Sequence, residues 1–133
     1  MRQLHAMLSA TLLCATLAGS GGALAQSMGL KRSVIEKADT SIPHREAVVA
    51  RVELDVGASA ARHTHPGEEI GYVLEGQGEL RIDGAKPRLL KAGDAFVVKA
   101  GQVHSAQNTG TGPMRLAVVY VVQKDQPLAS PAQ

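Results

Sequence analysis

Large aromatic side chains and cysteine are nearly absent from this chain of 133 residues. It has no tryptophan, one phenylalanine and two tyrosines. Aromatic rings supply the stacking surfaces of single-strand nucleic-acid binders, so their scarcity argues against that class of function. The one cysteine is Cys14. The chain therefore forms no internal disulfide, and its fold depends on a hydrophobic core, a metal or association between subunits.

An excess of charge of one sign is also lacking. Fourteen Lys and Arg residues stand against 12 Asp and Glu residues, which gives a formal net charge of +2. The basic residues are scattered among the acidic ones and form neither a basic stripe nor a polybasic patch. This pattern predicts no nucleic-acid partner and no anionic membrane surface as a partner.

The longest uncharged apolar stretch lies near the N-terminus, at residues 6–17, and is too short to span a bilayer. Arg2 precedes it, and the Ala-Leu-Ala sequence at 23–25 matches a cleavage site. Residues 1–25 are therefore predicted to be a secretory signal peptide. Its removal would leave a periplasmic or secreted protein without a membrane attachment, and an uncleaved membrane anchor is the alternative.

The rest of the chain is predicted to form one domain with a flanking segment on each side. Residues 26–45 are predicted to be a leader or arm that begins flexibly, in which 33–38 form either a short strand or one helical turn. Residues 46–122 are predicted to form the folded domain. Residues 123–133 are polar and contain proline, which is typical of a tail.

Short apolar runs separated by turn residues recur along the predicted domain. Residues 46–55 alternate between apolar and polar side chains, as in a half-buried strand, and 114–122 form a long β-branched run. The pair Asp83-Gly84 is typical of a hairpin turn. Because no segment has helical periodicity, the sequence predicts an all-β sandwich or barrel.

A candidate metal site lies in the stretch from Gly57 to Gly76. His63 and His65 are two residues apart, which places both side chains on one face of a strand. Glu69 follows after a Pro66-Gly67 turn signal and can return its carboxylate toward the imidazoles. His104, in a later apolar stretch, is the candidate for a fourth ligand.

The same residues match two motifs of the cupin superfamily, which this sequence resembles. The first motif, G-x5-H-x-H-x3-E-x6-G, is matched by Gly57, His63, His65, Glu69 and Gly76. The second motif, G-x5-P-x-G-x2-H-x3-N, is matched by Gly93, Gly101, His104 and Asn108, whereas Lys99 stands in place of the proline. For Asn108, a turn residue is the favoured interpretation over a ligand contact.

The resemblance implies a single-domain cupin double-stranded β-helix, which is a jelly-roll barrel, and commonly a homodimer. It implies one divalent transition metal per chain, held by His63, His65, Glu69 and His104. The ligand set does not choose among Fe, Mn, Ni, Cu, Co and Zn. A small molecule would bind beside the metal, in a pocket whose walls include Tyr72 and one face of the last long strand, formed by Leu116, Val118 and Tyr120.

Two functions follow from such a site. The first is a metal-dependent enzyme that acts on a small oxygen-rich molecule, with dioxygenase chemistry ahead of isomerase or lyase chemistry. In that case Glu69 is the candidate catalytic base, because a labile carboxylate ligand can leave the metal and accept a proton. The second is a periplasmic protein that binds a metal or small ligand without turnover. The fold alone does not decide between them.

Overall fold

The computed structural model describes residues 28–133, so the predicted signal peptide at 1–25 lies outside the described residues. Within 28–133 the chain forms ten strands and no helix, and thus no helix able to cross a membrane. In chain order the strands are β1 (Leu30–Asp39), β2 (Arg45–Leu54), β3 (Ser59–Thr64), β4 (Gly67–Glu75), β5 (Gln77–Ile82), β6 (Arg88–Lys91), β7 (Ala95–Val98), β8 (His104–Asn108), β9 (Met114–Gln123) and β10 (Ser130–Pro131).

The strands form two five-stranded antiparallel sheets. Sheet A has the order β1-β2-β9-β4-β7, and sheet B has the order β10-β3-β8-β5-β6. The chain passes repeatedly from one sheet to the other, so that strands distant in sequence become neighbours, such as β2 and β9. The all-β jelly-roll barrel predicted from the sequence is confirmed, and its two inner faces enclose the core.

The core takes its side chains from the alternating positions of the long strands. Burial alternates along β2 and β9, with one face of each strand directed into the barrel. The inward side chains of β9 are at most 5% exposed: Met114, Leu116, Val118, Tyr120 and Val122. Because β9 lies at the centre of sheet A, between β2 and β4, its inner face forms the wall of the barrel interior.

Of the two alternatives predicted for residues 33–38 of the leader, the short strand is the one that the structure contains. Residues 33–38 belong to strand β1, which pairs with β2 and has a bulge between Val34 and Glu36. Most β1 side chains are exposed on both faces of the strand, so its sequence carries no clear alternation. Such charged and bulged edge strands resist pairing with other chains. Residues 30–39 therefore add an edge to sheet A.

The region predicted as a tail differs from the sequence interpretation. Ser130–Pro131 form β10, which pairs with β3 at the edge of sheet B. Ala129 is buried, and Leu128 packs against the core. The composition of 123–133 gave no sign of this docking, because main-chain pairing and one small apolar side chain account for much of it.

Gly67, interpreted from the sequence as a turn residue, begins β4 and is buried against β9. A Cβ atom at this position would overlap the main-chain carbonyl of Val121.

We expect Gly67→Ala to lower the free energy of unfolding by about 3 kcal/mol, since the backbone atoms that the new methyl group meets cannot rotate away. Urea unfolding measures this. Gly112→Ala is the control, because a Cβ there meets nothing within 4 Å, and an equal loss in both variants would contradict the prediction.

Candidate metal centre

Three histidines and one glutamate converge between the two sheets. His63 in β3 and His104 in β8 are Cα partners in sheet B, and Glu69 points inward from β4 of sheet A. His65 follows the end of β3. All four side chains are buried, and their candidate ligand atoms lie within 4.8 Å of one another. The structure thus brings together the four residues named from the two sequence motifs.

Main-chain carbonyl groups fix the orientation of two of the imidazole rings. The Nδ1–H of His63 donates to the carbonyl oxygen of Ala61 at 2.6 Å, and the Nδ1–H of His104 donates to that of Gln102 at 3.0 Å. A carbonyl oxygen only accepts, so Nδ1 must carry the proton in both rings. In the neutral imidazoles, Nε2 is then a free lone pair directed into the site.

The third imidazole is oriented by the C-terminal segment. The Nδ1–H of His65 donates to the carbonyl oxygen of Leu128, 63 residues away, at 2.6 Å. This contact sets the same tautomer as in His63 and His104. A partner of this kind, bound to the far nitrogen of a ligating histidine, holds the ring and raises its basicity toward a metal. The sequence gave no signal for it, because the acceptor is a main-chain atom.

The donor atoms fit one metal ion. The Nε2 atoms of His63 and His65 are 3.1 Å apart, and with both Nδ1 atoms protonated they face each other as two lone pairs. Oε2 of Glu69 lies 3.3 Å from Nε2 of His65 and 2.8 Å from Nε2 of His104. The Nε2 atom of His104 is buried and makes no well-directed hydrogen bond within residues 28–133. Two donors each about 2.1 Å from one ion are about 3–4 Å apart, so two of these separations fall in that range and the third is slightly shorter.

The four ligands differ in their affinity for protons. Burial and the nearby His104 lower the pKa of His63 to about 4. Burial opposes ionisation of Glu69, but its contacts with His104 and His65 outweigh burial and hold its pKa well below the usual value. For His104, burial acts downward, but the Glu69 carboxylate prevails and raises the pKa above 6.5. Near neutral pH, therefore, Glu69 is ionised and His63 is neutral.

The proton on His104 is expected to compete with the metal. Binding needs neutral imidazole, so affinity should fall about tenfold per pH unit below the raised pKa of His104 and level off above it. The pKa of His63 is about 4, so its imidazole is neutral over the whole range from pH 5 to 8.5 and does not contribute to this dependence. Chelator-competition titrations with Mn²⁺ between pH 5 and 8.5 measure the profile. His44→Asn, which alters an exposed histidine, should reproduce it, whereas a constant affinity across this range would contradict the prediction.

A small cavity of about 40 Å³ opens beside the ligands. His63, Glu69 and His104 lie at its wall, and so do Leu116, Val118 and Tyr120, the three β9 residues assigned to the pocket from the sequence. The remaining lining is largely apolar: Leu30, Val52, Leu54, Ala60, Leu80, Phe96 and Ala106, together with Arg32. The phenol ring of Tyr120 packs 4.8 Å from the ring of His65.

Tyr72 is a correction to the predicted pocket. It is 48% exposed and lies on the outer face of sheet A. Burial alternates along β4, so that Glu69, Gly71 and Val73 face inward and Tyr72 faces outward. Tyr72 lies three residues after the inward-facing Glu69, and side chains at an odd separation on a strand point to opposite faces. The outward orientation of Tyr72 could therefore have been predicted from the sequence. Arg32, by contrast, was missed because its strand has no alternating pattern.

The turn that contains Lys99 in place of the motif proline is held by hydrogen bonds. The main-chain N–H of Lys99 donates to the side-chain oxygen of Gln102 at 3.3 Å, and the N–H of Gln102 donates back to the carbonyl of Lys99 at 3.1 Å. Gly101, at φ 70°, donates its N–H to the carbonyl oxygen of His65 at 2.9 Å. The turn therefore still presents the Gln102 carbonyl to His104.

Asn108 has a structural contact set rather than a ligand position. Its side-chain amide is buried and donates to the main-chain oxygens of Leu54, Asp55 and Gly112 at 2.8–3.1 Å. Its side-chain oxygen accepts from the N–H of Gly110 at 2.8 Å. The interpretation of Asn108 as a turn residue agrees with these contacts, which tie the loop after β8 to the end of β2.

The fold and the site together define a double-stranded β-helix protein with a buried site of three histidines and one glutamate suited to one metal ion. The chain belongs to the cupin family: the model of the Cupin_2 family, described as a cupin domain, matches residues 50–120. Strand β1 and the C-terminal segment lie outside this match.

The chain is also similar to curated proteins and solved structures. It is 37% identical over 81 residues to an oxalate-binding protein of Thermotoga maritima, covering 59% of this chain and 66% of the relative, which is just under two thirds of its length. An uncharacterised double-stranded β-helix protein of Klebsiella pneumoniae superposes with a TM-score of 0.65 at 28% identity, covering 80% of this chain and 86% of the other. A predicted oxalate decarboxylase of Thermotoga maritima superposes with a TM-score of 0.52 at 31% identity, covering 59% and 80%.

Proposed function

We propose that this protein is an exported, metal-dependent enzyme that acts on a small oxygen-rich molecule. The observation that carries the proposal is a buried three-histidine, one-glutamate set that borders a cavity of about 40 Å³. A metal bound there would be reached only by small ligands, shielded from water by apolar walls. Relatives described as oxalate-binding and as a predicted oxalate decarboxylase support a ligand of this size and oxygen content.

The residues of the site have separable tasks in such an enzyme. A bound divalent ion would polarise a substrate oxygen or activate dioxygen. His63, His65 and His104 hold it through Nε2, each ring fixed by a main-chain carbonyl. Glu69, ionised at neutral pH, is the group able to accept a proton from the substrate, although its lowered pKa makes it a weak base. Dioxygenase chemistry is the first candidate and isomerase or lyase chemistry the second.

Metal analysis followed by turnover assays tests the proposal. Protein purified from its own compartment should contain about one transition metal per chain. The metal-loaded protein should then consume oxygen with a member of a panel that includes oxalate, diketones and catechols, or convert one without oxygen. Metal-free protein whose melting temperature does not change with any of the six candidate metals would overturn the site assignment.

A second candidate function is ligand binding without turnover, as the name of the oxalate-binding relative suggests for that protein. Within residues 28–133, the cavity lining contains one carboxylate, Glu69, which is itself a ligand. Few groups are therefore free for acid–base work. A metal-loaded protein that binds oxalate but converts nothing in the panel would favour this function over the enzyme.

Export remains part of the proposal and has its own test. The predicted signal peptide at 1–25 supports it. Expression of the full chain in its native host, followed by fractionation and N-terminal sequencing, should give a periplasmic or secreted protein beginning at Gln26. An intact Met1 on cytoplasmic protein would contradict export.

The homodimer implied by the family resemblance is likewise proposed. On the outer face of sheet A, Ile70, Tyr72, Leu74 and Val97 are 43–56% exposed and adjacent on β4 and β7. An apolar patch of this kind suits association with a second copy. Sedimentation velocity should give a dimer for the wild type and a monomer for Tyr72→Lys, and a monomeric wild type would contradict the proposal.

A further inference from the structure

Arg32 reaches the cavity from outside the part of the chain matched by the family model. It lies on the edge strand β1, and its side chain lines the same cavity as His63, Glu69 and His104. The matched residues are 50–120, so Arg32 lies outside the match. The mechanism proposed above does not use it.

The side chain of Arg32 points toward the metal end of the barrel. In the register of sheet A, Arg32, Val52 and Leu116 form one row across strands β1, β2 and β9. Tyr120 lies four residues farther along β9, in the row that contains Glu69. The Cζ atom of Arg32 nevertheless lies 5.6 Å from the centroid of the Tyr120 ring. The guanidinium group must therefore extend along the inner face of the sheet toward the row that holds Glu69.

The guanidinium group of Arg32 makes no direct contact with a carboxylate in the described part of the chain. Within residues 28–133, no Asp or Glu lies within ion-pair distance of its guanidinium group. Its Nε atom is buried without a hydrogen-bond partner in that range, and so is the hydroxyl of Tyr120. Buried donors of this kind are costly unless a partner satisfies them, and charged ones more so. Both groups border a cavity whose other walls are mostly apolar.

We propose that Arg32 is the anion-binding residue of this cavity, contacting the carboxylate of a small dicarboxylate or 2-oxo acid whose other oxygens bind at the metal. The inference rests on the proposed function, because it needs a ligand at the metal. With Glu69 ionised and three neutral imidazoles, a divalent ion leaves one net positive charge, and Arg32 adds a second. The cavity therefore matches a dianion in charge, and the planar guanidinium suits carboxylate recognition.

Isothermal titration of the metal-loaded protein tests this assignment. Oxalate is the charged probe, and oxamide, the diamide of oxalic acid, is an uncharged probe with the same skeleton. In Arg32→Gln we expect the dissociation constant for oxalate to rise about 10- to 100-fold, because a charge-assisted contact is lost. The dissociation constant for oxamide and the metal content should change less than about twofold. Arg32→Lys, which keeps the charge without the planar fork, should recover part of the oxalate affinity.

Lys31→Gln is the matched control, since it removes a positive charge from the adjacent, outward position of β1. It should bind oxalate like the wild type, and an equal loss in both variants would assign the effect to net charge and overturn the proposal. The proposal would also be overturned if the wild type bound both probes and Arg32→Gln bound oxalate with the same affinity as the wild type. A wild type that binds neither probe would instead refute the proposed function, and this inference with it.

Discussion

His104→Ala should lower the affinity of the protein for a divalent transition metal by more than about 100-fold. Loss of a single hydrogen-bond partner of a ligand already costs about 10- to 100-fold, and loss of the ligand itself costs more. His104 is also the group closest to Glu69, at 2.8 Å between Nε2 and Oε2. Its removal leaves the buried carboxylate without its main partner, so a second donor position is disturbed as well.

Chelator competition gives the affinity, and metal content after dialysis gives the occupancy. The wild type should gain thermal stability when metal is added, because a ligand bound only by the folded state stabilises it, whereas His104→Ala should not. His104→Gln fills more of the same space without an imidazole and separates the loss of a ligand from the creation of a cavity.

His44→Asn is the control for this prediction. His44 is an exposed histidine in the turn before β2, at φ 60°, a conformation that asparagine adopts readily. It should keep the metal of the wild type. If His104→Ala also retained one metal per chain at wild-type affinity, His104 would not be a ligand.

The ligands could be predicted from the sequence because strand geometry converts their spacing into position. A separation of two places His63 and His65 on one face, and the two motifs supply Glu69 and His104 at fixed distances from turns. The same alternation gave the inward face of β9. Tyr72 was assigned to the wrong face because its parity relative to Glu69 was not applied.

The contacts of the flanking segments with the site could not be predicted, for two physical reasons. The side chains of β1 are mostly exposed, so its pairing depends on main-chain hydrogen bonds that leave no hydrophobic period in the sequence. The bond from His65 to Leu128 uses a carbonyl oxygen, which every residue type possesses. Both segments nevertheless reach the site, one through Arg32 and one through Leu128. The barrel of 46–122 thus supplies the ligands, and the flanks complete their surroundings.

Deletion of residues 127–133 should weaken metal binding about 10- to 100-fold although it removes no ligand. The deletion takes away the Leu128 carbonyl, which accepts the Nδ1–H of His65 at 2.6 Å. Without that acceptor, the His65 ring is free to rotate or to change tautomer, and its Nε2 atom is no longer held toward the other donors. The deletion also exposes surface covered by Ala129 and Leu128, so some loss of stability is expected with it.

Deletion of residues 132–133 alone is the matched control. It removes the contacts of Arg62 with Gln133 and the main-chain bond from Ala132 but keeps Leu128 and β10. Its metal affinity should stay within about threefold of the wild type.

A hydrogen-bonded Nδ1–H resonance of His65 should be visible by NMR in the wild type and this control and absent after deletion of 127–133. That signal separates ring positioning from general destabilisation, because a folded, merely less stable protein would keep it. Wild-type affinity in the longer deletion, or the persistence of this resonance there, would show that the C-terminal segment does not position His65.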